Sequence, residues 1–250
     1  MIKDLGHGYK IIDNKFILCY DSEVFKKFYK TIDFESFSII ASNAAQNTDG
    51  FASTIYFADK KHIYIQSAFS SFTIVEDAKP NDFNVVDIKK GYTFSNGTYY
   101  RHNEKMPFDL SKAKHLNGYY IQVENQLYFG DVKRVENVDL KSFKIPYPEL
   151  IGNLALDKEH VFFKGNIISE ADPQTFEVLE ACLDGTYYLE CDNTFYAKDK
   201  KYAYFIRTIS DEVKVIKTKS IHDFYFKVIE ERGYAFDQEY RYYMGKRTKL

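Results

Sequence analysis

Short aromatic and β-branched runs recur along this chain, with apolar and polar positions alternating at period two. Tyr202, Tyr204 and Ile206 alternate with Ala203, Phe205 and Arg207, the pattern of a strand. Turn residues punctuate the runs. Asn96-Gly97, Asn117-Gly118 and Asp184-Gly185 each lie between apolar or aromatic residues, which predicts type I′ turns. Gly165-Asn166 lies between Phe162-Phe163 and Ile167-Ile168 and reads as another hairpin signal. Helical signals are few. Residues 21–29 place Val24, Phe25 and Phe28 on one face of a short amphipathic helix. Asp172-Pro173 predicts a capped single helical turn that anchors Phe176 in the core.

The runs repeat. LDKEHVFFKGNIISEADPQTFEVL (residues 156–179) parallels ADKKHIYIQSAFSSFTIVEDAKPNDFNVV (residues 58–86), and a third copy starts at KDKKYAYFI (residues 198–206). Weaker copies are DNKFILCY with TIDFESFSII, and ENQLYFGDVKRVENVDLKSFKI; NGTYYRHNEKMPF and FDQEYRYYMGKR keep a hairpin half. Turns therefore fall near Asn14, Asp59, Asn96, Asn125, Asp157, Asp199 and Asp237, at intervals of 29 to 45 residues. Each interval accommodates one supersecondary unit. An Asp in the turn bonds its own backbone two residues on.

The paired motif resembles the DKNYY family. Its best copy is Asp157-Lys158-Glu159-His160-Val161-Phe162-Phe163 with Ala171-Asp172-Pro173-Gln174-Thr175-Phe176. The copies at residues 59–64 and 199–205 are next. Lys79-Pro80-Asn81-Asp82-Phe83 lacks the Asp-Pro, and Lys219-Ser220-Ile221-His222-Asp223-Phe224 lacks the Pro. The resemblance implies repeated β-hairpins, no established chemistry, and an immunity role beside a bacterial toxin.

Composition sharpens this picture. The chain has 22 Tyr and 22 Phe but no Trp, and 45% of its 250 residues are apolar. Tyr and Phe favour a pleated surface. Their hydroxyl-bearing members need water or a partner, which predicts thin sheets with one wet side. Net charge is −2 and the pI about 6.3, so no basic footprint for nucleic acid is expected. No run of about 18 apolar residues predicts a membrane span, and MIKDLGHGYKIIDNKF does not read as a signal peptide. The expectation is a cytoplasmic protein. Cys19, Cys182 and Cys191 lack disulfide or zinc spacing and read as small buried hydrophobes.

Candidate chemistry is sparse. His7, His62, His102, His115, His160 and His222 show no metal-ligand spacing. There is no G-x-S-x-G, glycine-rich phosphate loop or calcium loop. The reading is no enzyme, no cofactor, and neither catalytic nor metal residues. Charge segregation stands above this background. Residues 165–197 hold seven acids (Glu170, Asp172, Glu177, Glu180, Asp184, Glu190 and Asp192) and no Lys or Arg, whereas residues 198–250 carry a net of +5. An acidic patch can steer a basic partner. Tyr99-Tyr100, Tyr119-Tyr120, Tyr187-Tyr188 and Tyr242-Tyr243 each place one ring on either side of a strand.

The expected fold is all-β: tandem antiparallel β-hairpins with short helical turns, solenoid-like, with a small-bladed β-propeller as the alternative. It is read as one repeat-built domain over residues 1–250, with a sub-boundary near residues 145–150, where Ile145-Pro146-Tyr147-Pro148 lies. The expected function is non-catalytic protein binding, as an immunity protein neutralising a cognate toxin or effector. Glu177, Glu180, Glu190, Asp192, Tyr187 and Tyr188 are the expected partner-binding residues. A carbohydrate or cell-envelope binding module using exposed Tyr is the alternative.

Overall fold

Two-residue turns and period-two strands fold this chain into small antiparallel meanders, each closed locally. A computed structural model describes residues 1–43, 53–67, 70–148, 151–179, 194–230 and 232–249. Among these residues there are seven sheets of three or four strands, each built from consecutive segments. We number them 1 to 7 from the N-terminus. Their central hairpins are Tyr9–Ile12 with Phe16–Leu18, Ile55–Ala58 with Ile63–Ser67, Tyr92–Ser95 with Thr98–Arg101, and Tyr120–Val123 with Gln126–Phe129. The last three are Leu154–Leu156 with Val161–Phe163, Thr194–Lys198 with Ala203–Arg207, and Arg232–Phe236 with Tyr240–Tyr243. All pair antiparallel. Each of the seven expected turn positions falls in one of these hairpins. The all-β reading with repeated hairpins is therefore what the chain adopts.

The turns follow the local chemistry with two corrections. Asn96 and Gly97 both have positive φ, at 50° and 74°, between the paired Ser95 and Thr98, as a type I′ turn requires. The next turn of that kind is Lys164-Gly165, with φ of 49° and 71° between Phe163 and Asn166, one residue earlier than Gly165-Asn166. Asn117-Gly118 is part of a longer loop between Ala113–His115 and Tyr120–Val123. Asp184-Gly185 lies outside the described residues. Residues Ser22–Phe28 form a 3₁₀ segment, not an α-helix, and bury Phe25. At Asp172 the backbone makes the expected single turn: Thr175 and Phe176 N–H donate to the Asp172 carbonyl.

Two compact units are present, Met1–Ser111 and Lys112–Leu250. Ile145–Pro148 lies inside the second. In the first unit, alternate side chains of sheet 2 serve two cores. Ile55, Phe57, Tyr64 and Phe72 pack with Ile11, Ile17, Phe25 and Phe37, while Tyr56, Ala58, Ile63 and Ile65 pack with Val75 and Tyr100. In the second unit, Leu154, Leu156, Val161 and Phe163 of sheet 5 join the large core of sheets 6 and 7. Ala155 and Phe162 face Tyr120, Leu127 and Val135 of sheet 4. A lone hairpin is marginal; here sheets 2, 5 and 6 bury both faces of their central strands.

In sheets 2, 5 and 6 that two-sided burial overturns the expectation of sheets with one wet side, whereas Tyr225–Ile229 of sheet 7 keeps alternate residues exposed. Buried tyrosine hydroxyls between neighbouring sheets find protein partners instead of water. Tyr56 Oη donates to the Gly91 carbonyl at 3.1 Å. Tyr120 Oη donates to the Asn153 carbonyl at 3.0 Å and accepts from Gly165 N–H at 3.3 Å. Tyr196 Oη donates to the Tyr242 carbonyl at 3.2 Å and accepts from Gly245 N–H at 3.2 Å. Each bond joins one sheet to the next within its unit.

Close approach of backbones explains one glycine. A Cβ at Gly118 would lie 2.5 Å from the Gly152 carbonyl oxygen, while Gly130, also left-handed, faces open space. Both positions penalise alanine through φ, but only Gly118 adds a backbone clash. Gly118→Ala is expected to destabilise the protein by about 1–3 kcal/mol more than Gly130→Ala, measured by denaturant unfolding.

Candidate functional site

The recurring polar residues converge on the turn Asp of four sheets, Asp59, Asp157, Asp199 and Asp237. Asp59 closes the hairpin of sheet 2, donating its N–H to the His62 carbonyl at 3.1 Å. Its Oδ1 accepts from Lys61 and His62 N–H at 2.8 and 2.7 Å. Its Oδ2 accepts from Asp33 N–H at 3.0 Å and from Tyr64 Oη at 2.8 Å. The Lys60 N–H donates to Ser36 Oγ at 3.0 Å, and Lys60 Nζ pairs with Asp33 at 2.6 Å. Phe37, next to Ser36, enters the core and stacks on Phe57.

Sheet 6 repeats this arrangement. Asp199 Oδ1 accepts from Lys201 and Tyr202 N–H, and Oδ2 from Asp172 N–H at 3.0 Å and Tyr204 Oη at 2.6 Å. The Lys200 N–H donates to Thr175 Oγ1, and its ammonium pairs with Asp172. In sheet 5, Asp157 makes the same bonds with Glu159, His160 and Asp139 N–H. Phe162 there occupies the tyrosine position and supplies no hydroxyl. In sheet 7, Asp237 holds Glu239 and Tyr240 N–H and accepts from Tyr242 Oη and Thr218 Oγ1.

Sheet 3 exchanges the two chemistries. Ser95 stands at the Asp position of the hairpin, and Asp82 stands where Ser36 and Thr175 stand. Lys79 N–H donates to Ser95 Oγ at 2.7 Å, Ser95 Oγ donates to Asp82 Oδ1, and Asn96 N–H donates to Asp82 Oδ2 at 2.8 Å. The segment that lacks the Asp-Pro thus keeps the bonding pattern with acid and hydroxyl swapped.

These bonds correct the phase of the repeat. The Asp172-Pro173-x-Thr175-Phe176 half is bonded to the turn that follows it, at Asp199, and not to the preceding Asp157. Asp33 likewise serves Asp59. In the sequence these turns are marked by the period-five pairing of Asp with Tyr, at 59/64, 199/204 and 237/242.

Electrostatics follow from this geometry. Burial pushes the Asp59, Asp199 and Asp237 carboxyls up, but the converging N–H and O–H donors outweigh it and hold all three below the usual carboxylate range. Burial and the adjoining carboxylate push the Tyr64, Tyr204 and Tyr242 hydroxyls upward. Burial likewise raises Tyr9, to about 12. A carboxylate whose oxygens receive three or four donors holds a turn.

The expected partner-binding residues are placed as follows. Glu177 opens the strand Glu177–Val178, is mostly exposed, and has Lys198 Nζ at 3.8 Å. Glu180, Tyr187, Tyr188, Glu190 and Asp192 lie outside the described residues, as do Cys182 and Cys191. Asp172 is bound to Lys200, so its charge is locally answered. In the described Tyr pairs one ring is buried (Tyr100, Tyr120 and Tyr242), whereas Tyr119 is exposed. His62 and His160 sit beside their turn aspartates, Nδ1 to Oδ1 at 3.5 Å in both. Cys19 is half-buried against the core of sheets 1 and 2. No group of three or more His, Cys, Asp or Glu is arranged for a metal ion among the described residues. No described helix is long and apolar enough to cross a membrane.

With this geometry in view, comparison with known proteins matches the chain to the DKNYY family over residues 119–249. No curated protein matches the chain.

The depressed carboxyls set an acid limit. Their stabilisation is whole above the unfolded pKa of about 3.9 and is lost as pH falls through the folded pKa. The raised tyrosines act oppositely: their stabilisation is whole below about 10 and is lost as pH rises through the folded pKa. The thermal midpoint is expected to be level between these limits and to fall beyond both, with a shallower acid slope in Asp199→Asn. Tyr204→Phe removes one hydroxyl and leaves part of the Asp199 carboxylate unanswered. It should cost about 1–3 kcal/mol in chemical denaturation.

Proposed function

The chain belongs to the DKNYY family, and on that premise we propose that it is a non-catalytic protein-binding repeat protein, an immunity protein that neutralises a cognate bacterial toxin or effector. The observation that carries this reading is the engagement of the recurring polar residues. Asp59, Asp157, Asp199 and Asp237, the carboxylates that recur at the turns, are each bound to turn N–H groups and to a second chain segment. What repeats is a scaffold, and a scaffold of stacked sheets acts through the surfaces it displays.

The proposal includes a cytoplasmic location and no cofactor. Glu177, Glu180, Glu190 and Asp192, with Tyr187 and Tyr188, are the proposed contacts to a basic face of the partner. Charge complementarity of this kind speeds association and suppresses wrong partners. Tyr adds contact area at low entropic cost.

A pull-down of tagged protein from its native cells, with the products of neighbouring genes included, tests the reading. A stoichiometric partner that is toxic when expressed alone is the expected result. Recovery of the protein alone, together with glycan binding that Tyr187 or Tyr188 substitution removes, would replace it with the carbohydrate-binding reading. In the captured complex, charge reversal at Glu177, Glu180, Glu190 and Asp192 is expected to weaken affinity and reduce its salt dependence. Unchanged affinity, measured by titration calorimetry, removes the acidic segment from the interface.

A further inference from the structure

Sheets 2, 5 and 6 are buried on both faces of their central strands, where Ile55–Ala58, Leu154–Leu156 and Thr194–Ala197 are buried at every position. Sheet 7 differs. Tyr225, Lys227 and Ile229 are exposed, and alternate with the buried Phe226 and the half-buried Val228. The register sets Tyr225 opposite Phe236 and Phe236 opposite Arg241. It sets Lys227 opposite Tyr234, Tyr234 opposite Tyr243, and Tyr243 opposite Lys246. These residues share one face of the sheet. The opposite face, with Phe226, Ala235 and Tyr242, joins the core shared with sheet 6.

The outer face is an ordered aromatic layer flanked by cations. Tyr225 stacks on Phe236 with centroids 5.2 Å apart and planes at 15°. Tyr234 lies 5.3 Å from Tyr243, and the Arg241 guanidinium sits 5.0 Å over the Tyr234 ring. The four strands hold six basic residues, Lys227, Arg232, Arg241, Lys246, Arg247 and Lys249, and no Asp or Glu. Among the described residues no carboxylate forms an ion pair with Lys227, Arg241 or Lys246. Tyr and Arg are the residues enriched at the energetic centres of protein interfaces.

We propose that this outer face of sheet 7 docks an acidic protein surface. Charge complementarity selects the occupant: Lys227, Arg241 and Lys246 call for carboxylates, and the tyrosines between them supply the apolar contact. A second copy of the same face would set these cations against one another. A single-stranded nucleic acid needs open ring faces for its bases. Here one face of Tyr225 is covered by Phe236 and one face of Tyr234 by Arg241, and the whole chain carries −2. Four strands of about five residues cover roughly 300 Å² at ordinary strand spacing. A standard interface needs about 800 Å² from each partner, so the layer is the centre of a wider contact. The inference rests on the protein-binding reading above but does not use the acidic segment.

Fluorescence anisotropy with three labelled probes tests it: a short peptide alternating Glu and Leu, a peptide alternating Lys and Leu, and an oligothymidylate. The acidic peptide is expected to bind in low salt and to weaken by about tenfold or more in Lys227→Glu/Arg241→Glu. A smaller loss is expected in Lys227→Gln/Arg241→Gln, with the thermal midpoint of both variants near that of the parent because the side chains are exposed. Any of three results overturns the proposal: no binding of the acidic peptide, binding that both variants leave unchanged, or equal binding of the oligothymidylate. The partner captured from native cells separates the failures. Capture unchanged by Lys227→Glu/Arg241→Glu overturns this face as its site while protein binding stands. Capture of nothing by the parent protein overturns both.

Discussion

A buried carboxylate that must hold four donors at once governs this architecture. One oxygen of Asp59 or Asp199 fastens its own turn, and the other fastens a segment 26 or 27 residues earlier in the chain. Neither task suffices alone. A hairpin turn can form with many residues, as the Asn96-Gly97 turn shows, and a buried Asp without partners would be costly. Joined, the two tasks fix where each hairpin stands relative to the aromatic residue that precedes it. Phe37, Phe143 and Phe176 are then delivered to the cores beside Phe57, Phe162 and Tyr204.

The tyrosines extend the same logic between sheets. An aromatic ring fills the thin space between two sheets, and its hydroxyl ends on a backbone group of the next one. Tyr56 and Tyr196 each stand three residues before a turn Asp, at Asp59 and Asp199, and Tyr120 begins the strand that leads into the Asn125 turn. Such positions need both the area of a ring and a donor at its tip, which Phe cannot supply. Tyrosine thus serves the interior at these positions, while Tyr20, Tyr119 and, in sheet 7, Tyr225 are exposed at the surface.

Much of this was legible in the sequence because it is local. Turn aspartates announce themselves by their aromatic flanks, and period two gives the strands. The single turn at Asp172 follows from its proline. The phase of the repeat was not legible. Two halves in series can be grouped either way, and only the hydrogen bond from Asp172 N–H to Asp199 decides. The burial of both sheet faces was hidden for a related reason: a Tyr hydroxyl carries no mark that tells a carbonyl partner from water. Sheet 3 was obscured because Asp82 and Ser95 hold each other's usual positions, which preserves bonding while erasing the motif.

The link from each turn Asp to its earlier segment fixes only two ends. Asp33 and Asp59 are 26 residues apart, Asp139 and Asp157 only 18, Asp172 and Asp199 27, yet all three links form alike. Closing a longer loop costs only slowly increasing entropy. The residues between the ends can therefore lengthen, shorten and change character while the hairpin beyond them stays in place. In a protein built this way, novelty enters between fixed points, and a family can diversify its surface while leaving its frame untouched.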